Sequence, residues 1–190
     1  ASAAWGGIFT GLSYLTTTGW NSIEWQGARN WSGLSSPGLM LAGLAMMGGG
    51  VATTAGGVKL LRVYALARHS ERELEKIVHP SSIGGGGMMA RRLRREGAYL
   101  AFIFFMLFAT TLAVVVMMIS VQQIEFDSAT ILSIAALTNT GPLAGAIPLT
   151  PVFQGSAGMA GAPWQGWAGL PAATKAILAG GMIVGRLETL

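Results

Sequence analysis

Uncharged apolar stretches of different lengths alternate along the chain with one charged region. Residues 99–119 form a run of 21 residues without a charge, which is long enough for a helix to cross a bilayer core of about 30 Å. Residues 3–15 are equally apolar, but a helix of that length reaches only about 20 Å. Residues 129–137 predict a second short helix, which Asp127-Ser128 can cap. The pattern predicts an all-α membrane protein in which short helices enter the bilayer beside spanning ones.

A second long apolar run, residues 37–58, is interrupted by glycine. Seven of its 22 residues are glycine, and glycine costs about 1 kcal/mol relative to alanine inside a helix. We therefore expect the cluster at residues 48–57 to be a broken helix or a loop near the middle of the membrane. Irregular backbone at that depth is tolerated only inside protein or beside water. The alternative is that these small residues allow close packing between helices.

One short phrase occurs twice, and each copy follows a short apolar helix and ends on glycine. The copies are Leu15-Thr16-Thr17-Thr18-Gly19 and Leu137-Thr138-Asn139-Thr140-Gly141. Glycine permits positive φ, so successive carbonyls can turn toward one axis, as they do in a backbone-lined ion filter. Two copies in one chain predict two parts of a single pore. The alternative is an ordinary helix C-terminal turn, because glycine is common there.

The charges are few and concentrated. Charged residues make up 11% of the chain and hydrophobic residues 52%, whereas a soluble domain carries about 25% charged residues. Nine of the 12 Lys and Arg residues fall between Lys59 and Arg95, which is typical of a cytoplasmic segment beside membrane spans and does not favour nucleic-acid binding. The chain has no cysteine, and both histidines, His69 and His79, lie in this block. We therefore expect neither a metal site nor an enzyme.

Two further motifs accompany the repeated phrase, namely Thr54-Ala55-Gly56-Gly57-Val58-Lys59 and Gly185-Arg186-Leu187-Glu188. Together, in this order and spacing, they resemble the Trk/Ktr/HKT superfamily of potassium transporters, above all its bacterial TrkH/KtrB-type membrane subunit. The two phrases are similar to the filters of that family's third and fourth pore repeats. The other motifs are similar to the sequence after its intramembrane gating loop and to its last pore-lining helix. The resemblance covers nearly the whole chain but only the last half or less of a family member.

The resemblance implies potassium uptake through a potassium-channel-like pore built from helix–pore loop–helix repeats, of which this chain holds an incomplete set. It assigns the filter to the backbone carbonyls of Thr16, Thr17, Thr18, Gly19, Thr138, Asn139, Thr140 and Gly141. It assigns the gate to a glycine-rich loop and one arginine, comprising Gly48, Gly49, Gly50, Thr53, Thr54, Gly56, Gly57 and Arg186. It implies no catalytic residue and no cofactor, with K⁺ as the transported ion, held at the filter residues only.

The resemblance also implies an organisation and a setting. It divides the chain into the end of the third repeat (1–80), a cytoplasmic linker (81–96) and the fourth repeat (97–190). It implies a multi-pass homodimer in the lipid of the bacterial cytoplasmic membrane, with extracellular filters, residues 59–95 in the cytoplasm and no nucleic acid bound. A cytoplasmic nucleotide-binding subunit of the TrkA/KtrA type would contact the helix predicted at residues 59–78, which could instead be solvated. The chain begins and ends inside apolar segments, the last being a predicted helix at residues 172–190, so we expect it to be the C-terminal part of a larger protein.

Several alternatives stay open. Arg186 would lie roughly 21 Å along its helix, where an arginine must face water or protein, unless it snorkels toward the cytoplasm. Lys59 could pair with a helix terminus or a carboxylate, or serve as an inside anchor. A secondary transporter of small substrates also uses broken helices, but neither residues 37–58 nor residues 99–119 contain a carboxylate. A third alternative is a membrane scaffold that dimerises through small residues and transports nothing, but the repeated phrase argues against it.

Overall fold

The structure is a computed structural model, and it describes residues 2–33, 37–50, 53–79, 95–146 and 166–187. Within these ranges the chain is helical and contains no strand, which confirms the predicted fold class. The α-helices are α1 (Ser2–Leu15), α2 (Trp25–Ser32), α3 (Pro37–Met47), α4 (Leu60–Val78), α5 (Arg95–Ser120), α6 (Phe126–Leu137), α7 (Leu143–Ala146) and α8 (Ala172–Leu187). A 3₁₀ turn, Trp167–Gly169, precedes α8.

The predicted break in the second apolar run is confirmed. Helix α3 ends at Met47, and Gly48 comes next with a φ of 71°. That backbone conformation suits glycine and ends a helix. Regular structure resumes only at Leu60, where α4 begins after Lys59, whose φ is 74°. The described residues between the two helices, 48–50 and 53–59, therefore form a loop, called the glycine-rich loop below.

One local prediction was wrong, and two short helices were not predicted. Helix α6 begins at Phe126, after Glu125, and not behind a cap at Asp127-Ser128. Asp127 lies instead in the first helical turn, where a carboxylate is favoured by the helix dipole. The polar stretch after the first phrase contains a helix, α2, which ends at Gly33 with a φ of 62°. The four-residue helix α7 was also missed, because its Leu-Ala-Gly-Ala sequence has no helical period to detect.

The two short apolar helices differ in burial. Nine of the 12 residues of α6 are buried, because α3, α5 and α8 surround it. Ile119, Leu132 and Leu178 form the centre of a core shared by α5, α6 and α8. Helix α1 packs mainly against α2 and α3 and leaves four large apolar side chains exposed, those of Trp5, Ile8, Phe9 and Leu12. Helix α6 is therefore the enclosed element around which the described residues are arranged.

One helix of the described ranges is long and apolar enough to cross a membrane, the 24 residues Gly97–Ser120 within α5. Helices α3 and α6 are apolar but shorter. This confirms the prediction for residues 99–119 and the expectation that helices of two lengths occur. Residues 81–94 of the predicted cytoplasmic linker and residues 188–190 of the last predicted helix, among them Glu188 of the last motif, lie outside the described residues.

Candidate functional site

The two Leu-Thr-x-Thr-Gly phrases have the same backbone hydrogen bonds. In the first, the N–H of Thr17 donates to the carbonyl of Tyr14 (3.0 Å), and the N–H of Thr18 donates to that of Ser13 (2.9 Å). In the second, Asn139 donates to Ala136 (3.1 Å) and Thr140 donates to Ala135 (2.9 Å). This pair of bonds, three and five residues back, is the Schellman arrangement that ends a helix. We call the two segments the first turn (residues 16–19) and the second turn (residues 138–141).

The residue with positive φ in both phrases is the central one, whereas we expected it to be the glycine. Thr17 has a φ of 58° and Asn139 a φ of 55°. Gly19 also has a positive φ, 80°, but Gly141 does not. Asparagine enters this region with little penalty, whereas a β-branched threonine does so rarely. Strain of about 1–3 kcal/mol at such a residue is characteristic of functional segments.

The hydroxyls of the two outer threonines of each turn bond within the turn and its helix. Those of Thr16 and Thr18 lie 2.9 Å apart, and those of Thr138 and Thr140 lie 3.1 Å apart. Thr16 Oγ1 also donates to the carbonyl of Leu12, as Thr138 Oγ1 does to that of Ile134. These side chains are thus engaged locally, so the backbone carbonyls are the oxygens available to a ligand.

Several of those carbonyls have no protein donor. In the described part of the chain, none bonds to the carbonyl oxygens of Thr16, Thr17 or Thr18, nor to those of Asn139 and Gly141. The second turn is less open than the first: the carbonyl of Thr140 accepts the Leu143 N–H (3.0 Å), and Thr138 accepts a long bond from a hydroxyl of its own turn (3.4 Å). Unpaired carbonyls are what an ion filter requires.

The two turns lie side by side. A Cβ built on Gly19 would come within 3.0 Å of the ring carbons of Pro142, the residue directly after the second turn. Gly19 is therefore required both by its positive φ and by this close approach. The N–H of Trp20 donates to Ser13 Oγ (2.6 Å), which fixes the exit of the first turn against its own helix. The first copy of the phrase thus contacts the residue that directly follows the second copy, although the two lie far apart in the sequence.

The glycine-rich loop is closed at its base by backbone bonds. The Val58 N–H donates to the carbonyl of Met46 (2.9 Å), and the Leu60 N–H donates to that of Gly49 (3.1 Å). A Cβ on Gly57 would lie 2.6 Å from the Met46 carbonyl oxygen, so only glycine fits there. Within the loop, Thr53 Oγ1 donates to the carbonyl of Gly50 (2.6 Å). The loop is a defined structure, and not merely two helices packed through small residues.

The loop contacts both turns through Gly56. Its N–H donates to Thr17 Oγ1 in the first turn (3.1 Å). Its α-carbon faces the Thr138 carbonyl of the second turn so closely that a Cβ there would overlap the carbonyl group. Gly49 is also near the first turn, since a Cβ on it would lie 4.0 Å from the carbonyl oxygen of Leu15. The fold thus assembles the predicted filter and gate residues into one cluster.

Two cations hold neighbouring carbonyls of the loop. Lys59 Nζ donates to the carbonyl of Thr53 (2.8 Å), and Arg186 Nη1 on α8 donates to that of Thr54 (2.6 Å). Lys59 is 4% exposed, so it is not a surface anchor, and its ammonium is bound by a loop carbonyl. Arg186 lies in the last turn of its helix and is exposed in this chain. It reaches across 132 residues of sequence to the loop.

Sequence reasoning missed three of these features. The acceptor role of Thr17 Oγ1 and the packing of Pro142 on Gly19 have no signal in sequence, because both depend on how separate segments are placed in the fold. The partner of Lys59 had a partial signal in the sequence. Lys59 directly follows an uncharged 22-residue run, and a lysine buried there is costly unless a polar group binds its ammonium.

These features define a class of protein. Short apolar helices that end in turns with unbonded carbonyls, beside a broken helix and a helix long enough to cross a membrane, are typical of helical membrane proteins. The chain belongs to the TrkH family of cation transport proteins, whose family model matches residues 1–190.

Two relatives illustrate the family. The chain is 35% identical over 75 residues to an uncharacterised cation transporter of Methanocaldococcus jannaschii, a match that covers 40% of this chain and 15% of that protein. Its fold is similar to the crystal structure of the potassium transporter TrkH from Vibrio parahaemolyticus, with a TM-score of 0.64 and 20% sequence identity. That match covers 99% of this chain and 41% of the solved one. The chain thus spans less than half the length of these relatives.

Proposed function

We propose that the two turns form half of a potassium filter, the third and fourth quarters of a fourfold ring. The observation that carries this proposal is the backbone geometry that the two turns share: the same pair of hydrogen bonds, positive φ at the same central residue, and placement next to each other through Gly19 and Pro142. A dehydrated potassium ion is bound by rings of carbonyl oxygens that replace its water shell. The filter ligands are the carbonyls of Thr16, Thr17, Thr18, Gly19, Thr138, Asn139, Thr140 and Gly141, with the unbonded ones contributing most of the coordination.

The glycine-rich loop acts as the gate in this proposal. Its support is the loop's contact with both turns and its attachment to α8 through Arg186. Glycine leaves the backbone free to rearrange, and the arginine places a positive charge where a cation would leave the filter. Gly48, Gly49, Gly50, Thr53, Thr54, Gly56, Gly57 and Arg186 are the gate residues. Opening requires the Arg186–Thr54 bond to break.

The family supplies the setting of this function. We infer a multi-pass protein of the bacterial cytoplasmic membrane with extracellular filters, organised as the end of one repeat (1–80), a cytoplasmic linker (81–96) and a further repeat (97–190). Helix α4 exposes charged side chains, among them the ion pair of Arg68 and Glu71 (2.6 Å). It offers the surface for a nucleotide-binding regulatory subunit of the TrkA/KtrA type. The assembly is a homodimer with one pore in each subunit.

Rescue of potassium uptake tests the proposal. The complete gene that encodes this chain is expressed in a bacterium that lacks its own potassium uptake systems, and growth is measured at low external K⁺. We expect rescue with uptake of Rb⁺ as a tracer. A protein that is inserted in the membrane at normal level and restores neither growth nor tracer uptake contradicts the proposal.

The gate is tested by Arg186→Gln. This change removes the positive charge and weakens the bond to Thr54, so we expect K⁺ flux to rise by about fivefold, the effect of roughly 1 kcal/mol. Lys175→Gln is the matched control, because Lys175 lies on the same helix and bonds the nearby carbonyl of Ala168 (2.8 Å), away from the loop. Equal K⁺ flux in Arg186→Gln and Lys175→Gln would contradict the role of Arg186 in the gate.

A further inference from the structure

The central residue of each Leu-Thr-x-Thr-Gly phrase uses its side chain to bond a different element. Thr17 Oγ1 accepts the N–H of Gly56 in the glycine-rich loop, 39 residues away (3.1 Å). Asn139 Nδ2 donates to the carbonyl of Met182 on α8, 43 residues away (3.3 Å). In both cases the partner lies in a later apolar segment of the chain. The two positive-φ residues therefore attach each turn to a segment about 40 residues downstream.

The two partners differ in kind. Met182 lies inside α8, a continuous helix from Ala172 to Leu187 whose own backbone bonds fix its carbonyl. Gly56 lies outside any helix, and its N–H has Thr17 Oγ1 as its acceptor. A buried N–H without an acceptor is costly, so the loop and the first turn are fixed against each other. The second turn is thus bonded to a helix and the first turn to a loop.

Gly56 also lies against the second turn. Its α-carbon packs on the Thr138 carbonyl, and the nearby Thr54 is held by Arg186. Displacement of the loop therefore pulls on Thr17 and relieves the packing on Thr138 at the same time. Thr17 occupies a conformation that β-branched residues rarely adopt, so its position depends on this external bond more than that of Asn139 does.

We propose that Thr17 is a positioning residue that couples the first turn to the glycine-rich loop, so that the position of the loop sets the ion preference of the filter. The inference rests on the proposed function. It goes beyond it because a filter and a gate that act independently need no bond between them. Loop displacement changes the spacing of the carbonyls around Thr17, and carbonyl spacing and field strength decide which cation is bound best.

The test is a double-mutant cycle on the complete gene product. Thr17→Val removes the acceptor at nearly constant volume, and Thr17→Ser retains it. Each is combined with Arg186→Gln, which releases the loop from α8. Thr110→Val is the matched control, since Thr110 Oγ1 bonds the carbonyl of Met106 on its own helix (2.8 Å). The readouts are the KM for K⁺ and the Na⁺/K⁺ uptake ratio, measured in the same cells.

Coupling predicts that Arg186→Gln changes the Na⁺/K⁺ ratio in the unmodified protein and in Thr17→Ser, but not in Thr17→Val. The expected interaction is about fivefold or more in that ratio. Thr17→Ser is compared only for whether it retains the response to Arg186→Gln, whatever its own baseline, and Thr110→Val should leave every value unchanged. If the Thr17→Val protein does not insert into the membrane, Thr17→Ala removes the same acceptor with a smaller side chain. The effect of Arg186→Gln on the Na⁺/K⁺ ratio is then compared in that background.

Two failures are distinguishable. If the unmodified protein takes up no K⁺ at all, the proposed function is wrong and the cycle has no baseline. The second failure is a protein that takes up K⁺ but in which Arg186→Gln changes the Na⁺/K⁺ ratio by the same factor with and without Thr17→Val. The filter and the loop are then independent, and the coupling is refuted. A change in KM alone, with a constant ratio in every background, also refutes it, because it reports a purely structural role.

Discussion

Gly185 of α8 packs against the backbone of Leu137, the last residue of α6, directly before the second turn. A Cβ there would overlap the carbonyl of Leu137 and would lie 2.8 Å from its carbon and 2.9 Å from its α-carbon. Carbon atoms prefer separations of about 3.5–4.0 Å. The Gly185→Ala substitution must therefore move α8 or α6 by about 0.7 Å at this contact. The obstructing atoms are backbone, so no side chain can rotate out of the way.

The magnitude is the balance of two effects. Alanine is favoured over glycine in a helix by about 1 kcal/mol, whereas forcing extra volume into a packed contact costs about 1–3 kcal/mol. Because backbone obstructs the new methyl group, the cost lies at the upper end, and we expect a net loss of about 2 kcal/mol. Gly180→Ala is the matched control on the same helix. A Cβ on Gly180 meets nothing within 4 Å, so this change should stabilise the helix.

The assay compares the two variants in purified protein and in cells. Thermal unfolding in detergent should give a lower Tm for Gly185→Ala and an equal or higher Tm for Gly180→Ala. Leu137 directly precedes Thr138, so the displaced backbone carries the second turn with it. We expect K⁺ uptake by Gly185→Ala to fall by about tenfold or more, as misplacement of functional groups by this distance does elsewhere. Equal Tm and equal uptake in the two variants would refute the packing argument.

Two further substitutions test the attachments of the site. Lys59→Met removes the bond to the Thr53 carbonyl while keeping the apolar length of the side chain. In a Thr53→Cys background, we expect this change to increase the rate at which a thiol reagent labels the loop, and Lys175→Met, the control, should leave that rate unchanged. An unchanged labelling rate in Lys59→Met would contradict the role of Lys59. Asn139→Ala loses both the bond to Met182 and the ease of positive φ, for a destabilisation of about 1–2 kcal/mol. Asn139→Gly keeps the conformation and should recover part of that loss in Tm; a loss as large as that of Asn139→Ala would show that conformation plays no part.

Much of the fold could be predicted because local composition decides it. The run at 99–119 is long and apolar enough to favour a membrane-spanning helix, and glycine at residues 48–50 ends α3 wherever that helix is placed. Helix α2 was missed because its residues are polar and its stability comes from packing on α1, which the sequence of α2 does not reveal. The start of α6 was misplaced because a capping residue is only one of several ways to satisfy the first helical N–H groups.

The sequence by itself determined the class of the protein, the break in the second apolar run and the two turns, because the repeated phrase, the glycines and the distribution of charge act over a few residues each. Only the tertiary structure decided how these parts meet. It brought Gly19 against Pro142, buried Lys59 on a loop carbonyl, and bonded Thr17 to Gly56. These contacts join separate segments of the chain, and their geometry is fixed by helix packing around α6, which no local pattern encodes.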